Sequence, residues 1–231
     1  MSKPTLTMAV LNWNRPKQID FVLSTLEQQT LKPVIFVWNN GQPRLFPTAD
    51  WVVQSNQNIA CVASWMMLTR AETDYIGTIG DDVLVCDTQV LEHAVDFLSR
   101  QDDPDMIVGA AGVRLKAGKT YGDSDHIHCC SNFGFVKGEM AAPVDVVKGW
   151  FSIMRRDVLA KVPRMIDRGF IEDDIFVSGH AARGEKGKHR VLGMLRGRCK
   201  DLFDTSDVAL CSRKDHLLRR ELARRKYCFG L

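Results

Sequence analysis

Two short acidic clusters carry the strongest chemical signal in the chain. Gly80-Asp81-Asp82 closes an apolar run, Tyr75-Ile76-Gly77-Thr78-Ile79, and Glu172-Asp173-Asp174 opens a segment with helical spacing. Adjacent carboxylates repel one another unless a cation neutralises them, and a hard divalent ion takes carboxylate oxygens together with the phosphates of a ligand. Asp81 and Asp82 therefore point to Mn2+ or Mg2+ with a diphosphate, the alternative being a solvated turn or a helix cap. In the second cluster, acids in a first helical turn complement the helix dipole, although three exceed what capping requires. Two polar turns accompany the clusters, Asn12-Trp13-Asn14-Arg15-Pro16 and Asn39-Asn40-Gly41, each at the end of an apolar run.

The surrounding periodicity indicates how such residues are held. Residues 5–12 are strand-like, and Ile19, Val22, Leu23 and Leu26 follow at helical spacing. Residues 33–38 predict a second strand, 58–72 a helix and 74–80 a buried strand. Asp87 is placed to cap a helix reaching Arg100, with Val90, Leu91, Ala94, Val95 and Leu98 inward, and Met106-Ile107-Val108 begins another strand. Strands alternating with helices predict an α/β fold with a mostly parallel central sheet covered on both faces. In such sheets ligands bind beyond the carboxyl ends of the strands, where the acids and amides above fall. Residues 116–140 break the rhythm as loops and a hairpin, a place for an acceptor platform. Residues 144–148 predict a strand, Arg155 to Val162 and Glu172 to Arg183 two helices, and 213–226 a final helix rich in arginine.

With 231 residues and 45% apolar content, the default expectation is one domain over 1–231, with a nucleotide-binding half to about 113 and an acceptor-binding, catalytic half from about 114. No leader or bilayer-length apolar stretch is visible, and the seven cysteines lack paired spacing, so the expectation is a cytoplasmic protein. The net charge of +3 is unevenly spread. From Arg183 onward 14 Lys and Arg face 6 Asp and Glu, leaving the remainder at −5.

The order VLNWNRP, VIFVWNNG, NIACVASWMMLTRA, DYIGTIGDDVLV, VKGWFSIMRRDVLAKV and GFIEDDIFVSGHAARGEKG resembles the family 2 glycosyltransferases of the GT-A fold, a Rossmann-like domain, over about residues 5–190. The resemblance implies a metal-dependent inverting transfer from a nucleotide-diphosphate sugar, UDP-sugar first, to a hydroxyl acceptor, a saccharide first. It places Asn12, Asn14 and Arg15 against the nucleotide, and Asn39 where relatives keep an Asp that reads uracil. An Asn both donates and accepts, which leaves the base open. Asp81 would contact ribose or metal, and Asp82 would bind the metal. Asp173, with Asp174 and then Glu172 behind it, falls at the general base, and Gly149-Trp150 at the turn beside the donor sugar. His216, ahead of His189, is the candidate third metal ligand, and Arg219 and Arg220 could face the diphosphate.

Other readings stay open at this stage. The basic C-terminal region suits a solvated helix face, a diphosphate clamp or a nucleic-acid surface, and the last would make hydroxymethylated DNA bases the acceptor. Asp125-His126-Ile127-His128-Cys129-Cys130 has zinc-ligand residue types without zinc spacing. A sugar-phosphate nucleotidylyltransferase would want a glycine-rich loop after the first strand, which is lacking. A non-catalytic sugar- or nucleotide-binding module is the remaining class.

Overall fold

The computed structural model describes residues 3–129, 139–163, 172–202 and 215–228. Its centre is built from the most continuously apolar strands. β1 (Leu6–Asn12) pairs in parallel with β2 (Val34–Asn39) on one side and β4 (Tyr75–Gly80) on the other. β1 and β4 are buried almost throughout, whereas β2 alternates because β3 (Trp51–Gln54), its parallel outer neighbour, is the sheet edge. Beyond β4 lie β11 (Phe151–Arg155), β6 (Ile107–Gly109), β12 (His189–Leu192) and β9 (Ala141–Val144), completing eight strands in the order β3-β2-β1-β4-β11-β6-β12-β9. β11 is antiparallel to both its neighbours and β9 to β12; the other pairings are parallel.

Period two along the strands divides the core between the sheet faces. Met8, Val10, Ile35 and Ile79 face α1 (Pro16–Glu27) and α3 (Val90–Ser99), while Ala9, Ile76 and Met154 face α2 (Val62–Leu68), α4 (Arg156–Lys161) and α5 (Asp173–Ala182). α1 starts on Pro16, whose fixed φ and missing N–H suit a first helical position, and buries Ile19, Val22, Leu23 and Leu26. α3 buries the five residues that the spacing predicts. α2 is shorter than expected, because Ala60 has a left-handed backbone (φ 60°) held by an Asn58 side-chain bond to its N–H, 2.8 Å.

Several short strands escape the periodicity. β5 (Val83–Val85) follows the acid pair and is pinned by β13 (Cys199–Asp201). β7 (Ala111–Arg114) pairs with β8 (Asp125–His128), so the hairpin starts before the 116–140 stretch expected to hold it, of which 130–138 lie outside the described residues; β10 (Val146–Val147) is on its other side. The strand expected at 144–148 is split at Asp145, whose carboxylate accepts from Leu115 N and Gly187 N at 2.6 and 2.7 Å. The last helix is α6 (His216–Tyr227); residues 213–214 of the expected span lie outside the described residues.

β11 is wedged where no side chain fits beside it. A Cβ on Gly77 of β4 would lie 2.5 Å from Ser152 O, and one on Gly109 of β6 would collide with Phe151 O. Ser152, polar in a buried strand, is satisfied by Thr78 Oγ1 across the ladder at 2.9 Å. Gly109→Ala should therefore push β11 off its neighbours and cost about 2 kcal/mol or more of stability in urea melts, by the overpacking scale. Gly118→Ala meets no atom within 4 Å and measures only the strain of a left-handed loop residue.

Candidate functional site

Asp81 and Asp82 occupy the carboxyl end of β4. Asn14 turns the chain after β1 with φ 55°, a conformation Asn tolerates, and this brings Trp13 and Arg15 back onto the pair. Trp13 N donates to Asp81 Oδ2 at 2.9 Å. Arg15 Nη1 donates at 2.7 Å to both Asp81 Oδ1 and Asp82 Oδ2. Burial pushes the Asp81 carboxyl up to about 6, against the opposing pull of the Trp13 N–H and the Arg15 charge. Two carboxylate oxygens from adjacent residues converging on one positive nitrogen form a donor set that a hard divalent cation also suits. Arg15, expected on the nucleotide, is thus drawn onto the acids as their counter-charge.

The second cluster is divided among three partners. Glu172 is clasped by Arg219 (Nε to Oε1, 2.8 Å) and Asp174 by Arg220 (Nη2 to Oδ2, 2.7 Å). Asp173 has no arginine bonded to it; Trp65 Nε1 donates to its Oδ2 at 2.6 Å. Burial first, and then the charge of Asp174, raises the Asp173 carboxyl to about 7, while the Trp65 bond and Arg220 oppose the rise. The three acids are therefore chemically unequal: two carry charge in ion pairs, and one is balanced between its two protonation states near neutrality.

Arg219 and Arg220, expected at a diphosphate, sit on these carboxylates instead. Arg220 also donates to Tyr121 Oη at 2.7 Å and stacks over that ring, and Tyr121 N donates to Glu221 at 2.7 Å. Glu221 in turn takes Arg224 and Arg225, so the guanidinium groups of α6 are paired within the chain. His216 begins α6 near Glu172 and Asp174, whose charges act on it. Among the described residues no three His, Cys, Asp or Glu side chains converge as a metal cluster, so His216 is not brought to the Asp81-Asp82 pair. His189 is excluded more directly: fully buried on β12, it accepts from Ile107 N at Nδ1 (3.1 Å), which leaves Nε2 to donate to Ser178 O (2.9 Å).

Gly149-Trp150 joins the two acidic clusters. Trp150 O accepts from Gly80 N at 3.0 Å and Gly149 O from Thr78 Oγ1 at 3.2 Å, while a side-chain carbon on Gly149 would stand 3.5 Å from Asp173 Oδ2. The Trp150 ring packs on His128 of β8, centroids 4.6 Å apart. His126 meets Tyr121 O through Nε2 at 3.2 Å, so this histidine pair serves aromatic and backbone contacts; Cys130, the last residue of that segment, lies outside the described residues.

A cleft of about 780 Å3 opens beyond β1, β2 and β3, lined by Trp13, Asn14, Asn40, Gly41, Gln54 and Asn58 among others. Asn39 does not face it. Its Oδ1 accepts from Asn12 Nδ2 (2.6 Å) and Gly41 N (3.1 Å), and its Nδ2 donates to Gln42 O (2.8 Å) and Gln54 Oε1 (2.7 Å), which uses its hydrogen-bonding capacity to shape the loop. Its buried partner Asn12 is likewise not part of the lining. Asn40 belongs to the lining in its stead: Trp38 Nε1 fixes its Oδ1 at 3.0 Å, and its Nδ2 is buried with no hydrogen-bond partner. Asn40, Gln54 and Trp65 are the site residues that sequence reasoning missed. Asn40 was within the noted Asn-Asn-Gly turn, but nothing local separates it from Asn39.

No family model matches the chain, and no curated protein matches it. Its fold is similar to that of solved glycosyltransferases. A mannosyltransferase of Pyrobaculum calidifontis in complex with GDP-Man and Mn2+ superposes with TM-score 0.59 at 14% identity, over 89% of this chain and 59% of that one. TarS residues 1–349 of S. aureus match with TM-score 0.55 alone and 0.56 in complex with UDP-GlcNAc, each at 15% identity over 82% of this chain and 58% and 56% of theirs. The chain thus spans under three fifths of the length of these structures. The likeness is one of fold, a GT-A-like α/β architecture. Among the described residues no helix is long and apolar enough to cross a membrane.

Arg220→Leu leaves the Asp174 carboxylate buried without its counter-charge and should cost about 3–5 kcal/mol in chemical denaturation, whereas the exposed Arg225→Ala should cost under about 0.5 kcal/mol. His189 gives a pH prediction. Burial lowers its pKa to about 4, so the folded state resists a proton that the unfolded chain takes up from pH 6.5 downward. Its contribution is complete above pH 6.5 and is lost as pH falls toward 4, about 3 kcal/mol in all. Asp81 and Asp173, with raised values, titrate with the opposite sign over the same window. The stability difference between the wild type and His189→Gln, measured from pH 7.5 to 4.5, isolates the histidine and should narrow by that amount.

Proposed function

We propose that the chain is a metal-dependent glycosyltransferase moving a sugar from a nucleotide-diphosphate donor, a UDP-sugar first, to a hydroxyl of a saccharide with inversion. The observation that carries this reading is the meeting of two unlike acid sites across Gly149-Trp150, one suited to a cation and one to a proton, beside an amide-lined cleft at the carboxyl ends of three parallel strands. The fold shared with proteins solved with GDP-Man and Mn2+ and with UDP-GlcNAc supports a donor of the same class.

In this reading the nucleoside occupies the cleft, whose walls carry the amides of Asn14, Asn40, Gln54 and Asn58. Asp81 and Asp82 hold Mn2+ or Mg2+, which offsets the charge of the departing diphosphate as a Lewis acid. Gly149 keeps the space beside Asp173 open, and Trp150 offers a ring face to the sugar. Asp173 takes the proton from the acceptor hydroxyl as that oxygen attacks the anomeric carbon from the side opposite the diphosphate. Burial and the neighbouring Asp174 charge raise it above an ordinary aspartate and make it basic enough to accept the proton. Asp174 and Glu172 stay charged in their ion pairs and act through Asp173 and the helix terminus. The arginine pairing within α6 favours a saccharide over a polyanionic acceptor.

The test is a thermal-shift panel of UDP-glucose, UDP-GlcNAc and GDP-mannose with and without Mn2+. A matching donor at a hundred times its Kd stabilises by about 2.7 kcal/mol, a rise of about 5–10 °C for a chain of this size. That rise should require Mn2+ and vanish in Asp82→Asn. In Asp173→Asn donor binding should persist while turnover falls by about 10^2–10^4. The reading is lost if no donor stabilises the protein under either condition, or if Asp82→Asn binds as well as the wild type.

A further inference from the structure

We propose that Trp65 is the positioning residue of Asp173: its indole N–H holds Oδ2 and is the neutral nitrogen donor that fixes the carboxyl where it meets the acceptor. The inference rests on the reading of Asp173 as the base.

Trp65 lies on α2, 108 residues before Asp173, and is 3% exposed. Its ring packs with Met67, Leu68, Ile76 and Val177 in the core beneath the sheet. A buried indole N–H needs an acceptor, and any backbone carbonyl would serve. Here it takes the one acid of the cluster that no arginine clasps. The kind of donor matters. A guanidinium fixes a carboxylate as an anion and engages its oxygens, as Arg219 and Arg220 do to Glu172 and Asp174. A neutral N–H orients one oxygen and stabilises the anion only in part, so the carboxyl keeps more of its basicity than one held by a guanidinium.

The groups facing Asp173 make this bond decisive. Cys61, just before α2, hydrogen-bonds the Asp173 carboxyl through a thiol that burial, and then the charges of Asp173 and Asp174, push well above its ordinary range, so it is a neutral partner. Asp174 and Glu172 share the first turn with Asp173, and Arg219, Arg220 and His216 approach from α6. Of these, Asp174 opposes ionisation of Asp173 and Arg220 favours it without bonding to it. Among the described residues Trp65 is the one side-chain nitrogen that donates to the Asp173 carboxyl, the Cys61 thiol being its other side-chain partner.

The test compares wild type with Trp65→Phe, and with Trp65→benzothienylalanine, which keeps the bicyclic shape and replaces the N–H by sulfur. The Asp173 carboxyl is titrated by 13C NMR in aspartate-labelled protein, its resonance assigned by its loss in Asp173→Asn. Loss of a hydrogen bond to the charged form should raise its midpoint by about one to two pH units in both variants. Release of nucleoside diphosphate from UDP-GlcNAc and from GDP-mannose, each with Mn2+, should show its acid limb displaced by the same amount. At pH 7 kcat should then fall about five-fold for one unit, recover near pH 9, and leave the donor KM unchanged. An unmoved titration in the shape-preserving variant, or a kcat lowered equally at every pH, overturns the proposal. A displaced titration with an unmoved acid limb supports Trp65's hold on Asp173 and instead refutes Asp173 as the base.

Discussion

Five carboxylates crowd one end of the central sheet, and three arginines reach them. Asp81 and Asp82 share Arg15, Glu172 takes Arg219, Asp174 takes Arg220, and Asp173 is left with an indole. Buried like charges cannot all ionise without compensation, because the interior screens them weakly. The raised carboxyls of Asp81 and Asp173 express that shortage at both ends of the site. A site built with too little positive charge is stable when a proton or a cation supplies the rest. The cation proposed at Asp81-Asp82 and the proton proposed at Asp173 would thus answer one electrostatic shortage.

The sheet sets where this shortage arises. β11 runs antiparallel between β4 and β6, so its beginning, not its end, lies at the carboxyl edge of β4. Gly149 and Trp150, which precede β11, are for that reason carried to Gly80 and onward to Asp173. A parallel strand in the same position would deliver its opening residues to the opposite edge. The glycines at 77 and 109 let the inserted strand approach closely enough to make this junction.

The local part of this design was legible in the chain. The spacing of Ile19, Val22, Leu23 and Leu26, and of Val90 to Leu98, gives α1 and α3 because helical periodicity acts within a few residues. The acids that follow the buried run 75–79 do stand at the carboxyl end of a strand, β4, for the same reason. β11 was missed because Ser152 interrupts its apolar pattern, and its compensation, Thr78, is on another strand. The partners of the acids were out of reach too. That Asp173 meets Trp65, and Arg219 and Arg220 meet acids rather than a ligand, depends on α2 and α6 packing on α5, which no short-range pattern encodes. The exchange of Asn39 for Asn40 has a similar cause: Gln54, arriving on β3, fills the remaining capacity of Asn39 and turns it into scaffold.

The pairing of Arg220 explains why Asp174 and Asp173 differ although they are adjacent on one helix. Arg220 is shared between Asp174 Oδ2 and Tyr121 Oη, and Tyr121 stands in the connection between β7 and β8. The phenol is itself kept neutral by burial, so it supplies a fixed acceptor and no competing charge. Asp174 is thereby held as an anion, and that charge is the second-largest influence raising Asp173. The hairpin reaches the same end of the site through His128, packed on Trp150. Tyr121 and Asp174 thus divide one guanidinium between them, and the Asp174 charge it partly offsets acts on Asp173. The loops expected to meet an acceptor and the acid expected to deprotonate it are linked by a single guanidinium.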